Sequence, residues 1–261
     1  MAERGLATLG ADSVTGRTGA KAVVLTGASR GIGHATAKRF TIAGWRVITV
    51  ARTPFPASCV FDPGRTDHVE ADLSDPEQLP EVVGAVKSRL DGRLDALINN
   101  AGVAPKHPDG ARLGVVDTPT AVWQQVLAVN LLAAGVLIRD LFPELRAAAG
   151  AVVNVTSIAG ERFHPFAGAA YACSKAALSA LTRDAAAELG PHGVRVNAVS
   201  PGEIDTAILT PGSEQLVVPR IPMGRFGTPA EVADVIFFLC SPEAGYLSGV
   251  DLPVDGAERA S

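Results

Sequence analysis

Seven short runs of β-branched and apolar residues recur along the chain: AVVLTG (22–27), WRVITVA (45–51), HVEAD (68–72), DALINNAG (95–102), AVVNVTS (151–157), VRVNAVSPG (194–202) and VDLPVDG (250–256). Helical patterning separates most of them, near 32–43, 76–90, 119–140, 167–189 and 229–240. Strands that are apolar on both faces and alternate with helices belong to a parallel sheet covered on each side. The expected fold is therefore a doubly wound α/β domain whose mainly parallel sheet has about seven strands. No linker or internal repeat interrupts the pattern, so residues 21–261 are expected to form one domain. The Gly-, Thr- and Ala-rich residues 1–20 are expected to form a flexible tail.

Composition narrows the partners. With 47% hydrophobic and 19% charged residues, the chain reads as a globular protein with a generous core. A net charge of −4 and a pI near 5.7 argue against nucleic acid or an anionic membrane as the main partner. No apolar run approaches the roughly 18 residues of a membrane helix. The N-terminus lacks the apolar core of a secretory signal. Cys59, Cys173 and Cys240 are odd in number, widely spaced and free of any CxxC pattern. Neither a disulfide framework nor a metal site is expected, and a cytoplasmic setting is. Cys173 reads as a buried structural thiol.

Ligands of doubly wound sheets sit beyond the carboxyl ends of the strands. The unusual residues of this chain fall there: TGASRGIG, AD, NNAG, TS and SPG each close a strand. In TGASRGIG (26–33), Gly27 permits a tight turn, while Gly31 and Gly33 allow close backbone approach. Ser29, Arg30 and Ile32 complete a loop that leads into a helix N-terminus suited to a pyrophosphate. The plain alternative is an ordinary tight turn. The second strand ends Val50-Ala51-Arg52-Thr53, without the carboxylate that would hold an NAD ribose. Arg52 and Arg30 could instead fork onto a 2′-phosphate, so NADP(H) is expected over NAD(H), unless both are merely solvated.

The segment YACSK places Tyr171 and Lys175 four residues apart, on one face of an Ala-rich helix. With TGASRGIG, NNAG (99–102), Asn130, Ser157 and Pro201-Gly202 in the same order, the chain resembles the short-chain dehydrogenase/reductase family. The resemblance runs over roughly residues 20–256 and is similar to the compact, 3-oxoacyl-thioester reductase-like branch. It implies a Rossmann fold and a catalytic tetrad of Asn130, Ser157, Tyr171 and Lys175. Tyr171 would be the general acid or base in hydride transfer between a nicotinamide and a carbonyl or secondary alcohol. A free tyrosine titrates at about 10, and the Lys175 ammonium together with the cationic nicotinamide ring would lower that value. Lys175 would also bind the nicotinamide ribose. Ser157 would stabilise the substrate oxygen, and Asn130 would hold a water linking Lys175 to solvent.

The same resemblance gives Asp72 and Leu73 to the adenine, and Asn100, Ala101 and Gly102 to the adenosine ribose side. It gives Pro201, Gly202, Ile204 and Thr206 to the nicotinamide carboxamide and pyrophosphate. Asp72 could instead cap the helix near Pro76, and Asn99 would brace the sheet. Ser157 and Tyr171 are fourteen residues apart, one more than the commonest spacing of the family, and the extra residue falls in GERFHPFAG. VDGA replaces the usual VDGG, a change expected to matter little.

Two mainly apolar segments should face the substrate. One is residues 158–168, with Ile158, Arg162, Phe163, His164 and Phe166, and the other is 207–222. Ser157, Ile158, Phe163 and Tyr171 are the expected substrate contacts, and Arg162 or His164 could bind a carboxylate or be solvated. A nucleotide-sugar epimerase is disfavoured by the TGxxxGxG spacing and the 261-residue length. The competing readings are an NAD-preferring alcohol dehydrogenase and a non-catalytic dinucleotide sensor. The family habit implies a homotetramer or homodimer.

Overall fold

The computed structural model describes residues 19–53, 66–206 and 218–260. Cys59, most of the 207–222 segment and all but the last two residues of the expected tail lie outside the described residues. Seven strands form one sheet in the order β3-β2-β1-β4-β5-β6-β7. They are β1 (Ala22–Thr26), β2 (Arg46–Ala51), β3 (Thr66–Glu70), β4 (Ala96–Asn99), β5 (Ala151–Val155), β6 (Arg195–Pro201) and β7 (Asp251–Val254). Every neighbouring pair is parallel. Strands β1, β4 and β5 are buried along their whole length, which is why their sequences run continuously apolar instead of alternating. The order reverses between β1 and β4, and that switch point opens a crevice at the strand C-termini.

The helices are α1 (Gly31–Ile42), α2 (Leu79–Lys87), α3 (Thr120–Leu127), α4 (Ala133–Asp140), α5 (Phe142–Ala148), α6 (Ala169–Leu189) and α7 (Pro229–Cys240). Helices α1 and α7 cover one face of the sheet. There Phe40, fully buried, meets Trp45 and Phe237 edge-on at 5.0 and 5.1 Å between centroids. Burying such a ring contributes about 2–3 kcal/mol. A Thr228–Glu231 capping box starts α7. The opposite core joins Val82 and Val86 of α2, Leu137 of α4, Leu145 of α5 and Leu189 of α6 to Ile48, Leu97 and Val152 of the strands. The short helix α5 has no counterpart in the sequence reading.

Helices α3 and α4 are continuous through a π-helical turn at Ala128–Leu132. The stretch Thr120–Asp140, 21 residues at hydropathy 1.8, would meet the length and composition of a membrane span. That corrects the expectation drawn from run length alone. Its apolar positions Val126, Ala133, Leu137 and Ile138 are buried in the fold.

Helix α6 buries Ala170, Ser174, Lys175, Leu178, Thr182, Ala185 and Leu189, a stripe at helical spacing. Cys173 falls off that stripe and is exposed, so it is not the buried thiol expected. Cys240 is buried, and desolvation pushes its thiol up to about 12.

Candidate active site

A cavity of about 530 Å³ lies across the C-terminal ends of the strands. Every residue expected to meet the dinucleotide, from Gly27 to Thr206, lines it. The turn after β1 is built without room for side chains. Gly27 has φ +70, and a Cβ there would lie 2.8 Å from Ala101 Cα. A Cβ on Gly33 would lie 2.2 Å from the Gly27 carbonyl oxygen. Asn100 clamps this turn rather than reaching outward: its amide donates to the carbonyls of Thr26 (2.9 Å) and Gly27 (3.0 Å). The Thr26 hydroxyl accepts from the N–H groups of Asn100 and Ala101, both at 3.0 Å. Helix α1 begins with no side-chain cap and no acidic residue in its first turn, and Gly31, Ile32 and Gly33 line the cavity. Uncapped N–H groups at a helix start suit an anion. The cradle, the uncapped helix and the cavity fit a dinucleotide.

At the rim, Ala51 ends β2, while Arg30 and Arg52 line the cavity and are exposed. Arg52 Nη1 is 4.0 Å from Asp72 Oδ2. Asp72 accepts from Ser74 N–H at 2.9 Å, and this bond, with the Arg52 charge, holds its carboxyl below the usual range. Asp72 does not cap the turn that begins at Pro76; Asp75 does, accepting from Glu77 N–H at 3.0 Å.

On the inner wall, Ser157, Tyr171 and Lys175 converge on the cavity. Ser157 follows β5, and Tyr171 lies in the first turn of α6. Gly160 joins the two supports, because a Cβ there would lie 2.7 Å from Ala176 N; the turn rests directly on the α6 backbone. With the extra residue between them, Ser157 and Tyr171 still line the same cavity. Lys175 Nζ lies 5.7 Å from the centre of the Tyr171 ring, on the same helix face, and donates to the Val155 carbonyl at 2.7 Å.

The electrostatics differ from the expected tuning. Burial raises the Tyr171 phenol above its ordinary value, the Ser157 bond opposes this, and the Glu203 carboxylate adds to it. Burial brings Lys175 down to about 8, against an upward pull from Asp251. Desolvation is thus the largest influence on both groups in the site without its cofactor.

Asn130, in the π turn, does not line the cavity. Its Oδ1 accepts from Val103 N–H at 2.8 Å, and its Nδ2 donates to Val103 O (3.1 Å) and Ser174 Oγ (3.0 Å). The side chain braces the loop after β4 against α6. A methyl built on Gly102 would lie 3.5 Å from Lys175 Nζ and 3.6 Å from Asn130 Oδ1, so this brace adjoins the lysine. Asn99 ties the sheet to α6 through Asn154 (2.9 Å) and Thr182 (2.9 Å).

The substrate side brings a correction. Phe163 is 74% exposed and does not line the cavity; the Arg112 guanidinium lies over its ring at 4.9 Å. Ile158, His164 and Phe166 do line it. Arg162 and His164 are both paired with carboxylates of the chain itself. Arg162 pairs with Glu258 at 3.1 Å, and His164 Nε2 lies 3.0 Å from Glu203 and 3.6 Å from Glu258. The two carboxylates hold the imidazole up at about 9 against the opposing effect of burial. His164, Glu203 and Glu258 lie close enough together to ligate a cation. With Arg162, however, the group balances two positive charges against two negative ones. Glu203 and Glu258 were missed in the sequence because they stand far along the chain from His164 and from each other, with no spacing signal.

Comparisons with known proteins identify the family. The family model described as enoyl-(acyl carrier protein) reductase matches residues 27–257. The chain belongs to the short-chain dehydrogenase/reductase family. It is 55% identical to protein FixR of Bradyrhizobium diazoefficiens over 241 residues, 92% of this chain and 87% of that one. It is 35% identical to the 3-oxoacyl-[acyl-carrier-protein] reductase FabG of Aquifex aeolicus, over 90% of this chain and 96% of the relative. A short-chain dehydrogenase/reductase from Brucella ovis, solved with a partially ordered NAD, superposes with a TM-score of 0.77 at 49% identity. That match covers 90% of this chain and 99% of the other. The chain is thus an oxidoreductase of a nicotinamide-dinucleotide family with a small-molecule substrate.

Proposed function

We propose that this protein is an NADP(H)-dependent carbonyl reductase or secondary-alcohol dehydrogenase. One observation carries the reading: Tyr171, Ser157 and Lys175 converge on the cavity that also holds the uncapped start of α1. Gly27, Ser29, Gly31, Ile32 and Gly33 would receive the pyrophosphate, and Arg30 and Arg52 the 2′-phosphate. Asp72 and Leu73 would border the adenine, and Pro201, Gly202, Ile204 and Thr206 the nicotinamide end. When bound, the cofactor supplies or accepts a hydride at the substrate carbon. Tyr171 Oη gives a proton to the carbonyl oxygen in reduction, or takes one from the alcohol in oxidation. The Ser157 hydroxyl orients that oxygen and stabilises charge on it. Lys175, anchored on Val155 O, retains donors for ribose hydroxyls. Ile158 and Phe166 shape an apolar wall against the substrate body.

A second reading, NAD(H) preference, is favoured by two observations. Arg52 is drawn toward Asp72, and the Brucella ovis relative holds NAD. Fluorescence titration with NADPH and NADH decides between them; equal or reversed affinities refute the NADP assignment. A ketone and alcohol screen on the holoenzyme tests the activity. Tyr171→Phe should lower turnover by about 100-fold or more with cofactor affinity unchanged. Retained turnover in this variant would remove the acid–base role. The reading also carries a homotetramer or homodimer, to be checked by sedimentation.

A further inference from the structure

Helix α6 carries Tyr171 and Lys175, while the end of β5 carries Ser157 and the Val155 carbonyl that anchors Lys175. Proton transfer needs these two supports in one fixed relation, and a single carboxylate reaches both. Asp251 opens β7, where its Cα pairs with Ala198 of β6. Its side chain extends across β6 to Thr156, whose hydroxyl lies 2.9 Å from Oδ1 and 3.1 Å from Oδ2. Thr156 stands between Val155 and Ser157, is 2% exposed, and donates its N–H to the Val199 carbonyl at 2.8 Å. On the other side, the hydroxyl of Ser179, one helical turn beyond Lys175, donates to Asp251 Oδ2 at 2.5 Å. The same hydroxyl lies 3.2 Å from the Lys175 carbonyl. Both partners of the carboxylate are neutral hydroxyls, so these contacts fix geometry without pairing charge.

We propose that Asp251 is a positioning residue that ties α6 to the end of β5, holding Lys175 and Tyr171 in register with Ser157. The inference rests on the proposed roles of those three residues. Hydrogen bonds to a carboxylate are shorter and about twice as strong as those between neutral groups, so two of them on one side chain make a stiff link. A second tie, Asn154 to Thr182 at 2.9 Å, holds α6 one turn further from the cavity. It keeps the helix on the sheet when the Asp251 tie is cut, so the cut should shift the first turns of α6 rather than unfold them. The carboxylate also pulls Lys175 upward against burial, in keeping with its place behind the lysine. A misplacement of about 1 Å between reacting groups can cost about 100-fold in rate. Loosening of this tie should therefore register in turnover before it registers in cofactor binding.

Thr156→Val, Ser179→Ala and Asp251→Ala each cut the tie, whereas Asp251→Asn keeps its shape and one acceptor oxygen. In the holoenzyme, with the ketone or alcohol that the screen yields, Asp251→Ala should lower kcat about tenfold or more, with KM changed by less than about threefold. Asp251→Asn should recover most of that rate. The double variant Asp251→Ala/Thr156→Val should lose no more than Asp251→Ala alone, because both cut one link. Thr156→Val preserves the side-chain shape and carries the same kinetic test if Asp251→Ala does not fold. A merely structural residue would lower the melting temperature and leave kcat of the folded protein unchanged. A readout free of turnover is the nitrogen NMR resonance of the Lys175 side chain, identified by its loss in Lys175→Met. It should move in Thr156→Val and Ser179→Ala, which leave every charge in place. Unchanged kcat in folded Asp251→Ala or Thr156→Val, losses that multiply in the double variant, or a Lys175 resonance that stays put in both hydroxyl variants overturns the inference. A resonance that moves as expected in a protein turning over no ketone or alcohol supports the tie and overturns the proposed function instead.

Discussion

The His164 cluster makes the stability of this protein depend on pH in a way that can be worked out in advance. In the unfolded chain the imidazole titrates at about 6.5; in the fold two carboxylates hold it at about 9. A folded value above the unfolded one means that stability is fully present below about 6.5 and is lost as pH rises through about 9. At about 1.4 kcal/mol per pH unit the difference corresponds to about 3 kcal/mol. The side chain borders an open cavity, so solvent screening discounts this to about 1–2 kcal/mol. Urea unfolding of the native protein and of His164→Gln, at pH 6, 8 and 10, isolates the contribution. Background titrations common to both chains cancel in the difference. The gap should be about 1–2 kcal/mol at the lowest pH and close almost completely at the highest. A gap that is flat with pH, or widens toward alkaline conditions, would refute the assignment of a charged, carboxylate-bound imidazole.

Other perturbations follow from the geometry. In Gly33→Ala the new methyl meets the Gly27 carbonyl at 2.2 Å and the Asn100 amide at 2.5 Å. Displacing that clamp should weaken NADPH binding by about 100-fold in fluorescence titration, whereas unchanged affinity would show that the turn does not carry the dinucleotide. Arg52→Ala and Arg30→Ala should each lower NADPH affinity about tenfold and leave NADH unaffected; parallel losses for both cofactors would remove the 2′-phosphate role. Ala257 sits at φ +68, a left-handed conformation that costs an L-residue about 1–2 kcal/mol. Ala257→Gly relieves this but gives back about 0.5–1 kcal/mol through unfolded-chain entropy. Calorimetry should therefore find the melting temperature about 2 °C higher, and a drop would refute the strain argument.

How much could be read from residues alone varied with the kind of signal. Strands buried on both faces announce themselves as apolar runs, so the sheet was legible from AVVLT and AVVNV. The glycine turn was legible because its chemistry is local: Gly27 and Gly33 lie within one turn of chain. The Tyr171–Lys175 pair was legible for the same reason, but its electrostatics were not. Desolvation depends on what the rest of the fold packs around the phenol, and the distant Glu203 adds to that upward shift. In the irregular 158–168 loop no periodicity tells Phe163, which faces solvent, from Phe166, which lines the cavity. VDGA looked innocuous until its alanine proved to have positive φ. Cys173 was a different failure, since the helical stripe that exposes it was present in the sequence.

Where Gly160 meets the α6 backbone, the chain separates what must be constant from what is at liberty to vary. Upstream of that contact, the reach from one hydroxyl to the other is locked by backbone against backbone. Downstream, residues 161–167 run between two fixed posts, pinned on the way by the Arg162–Glu258 and His164–Glu203 pairs. A designer seeking new substrate selectivity in this scaffold should vary that interval around Arg162 and His164 and leave the posts in place.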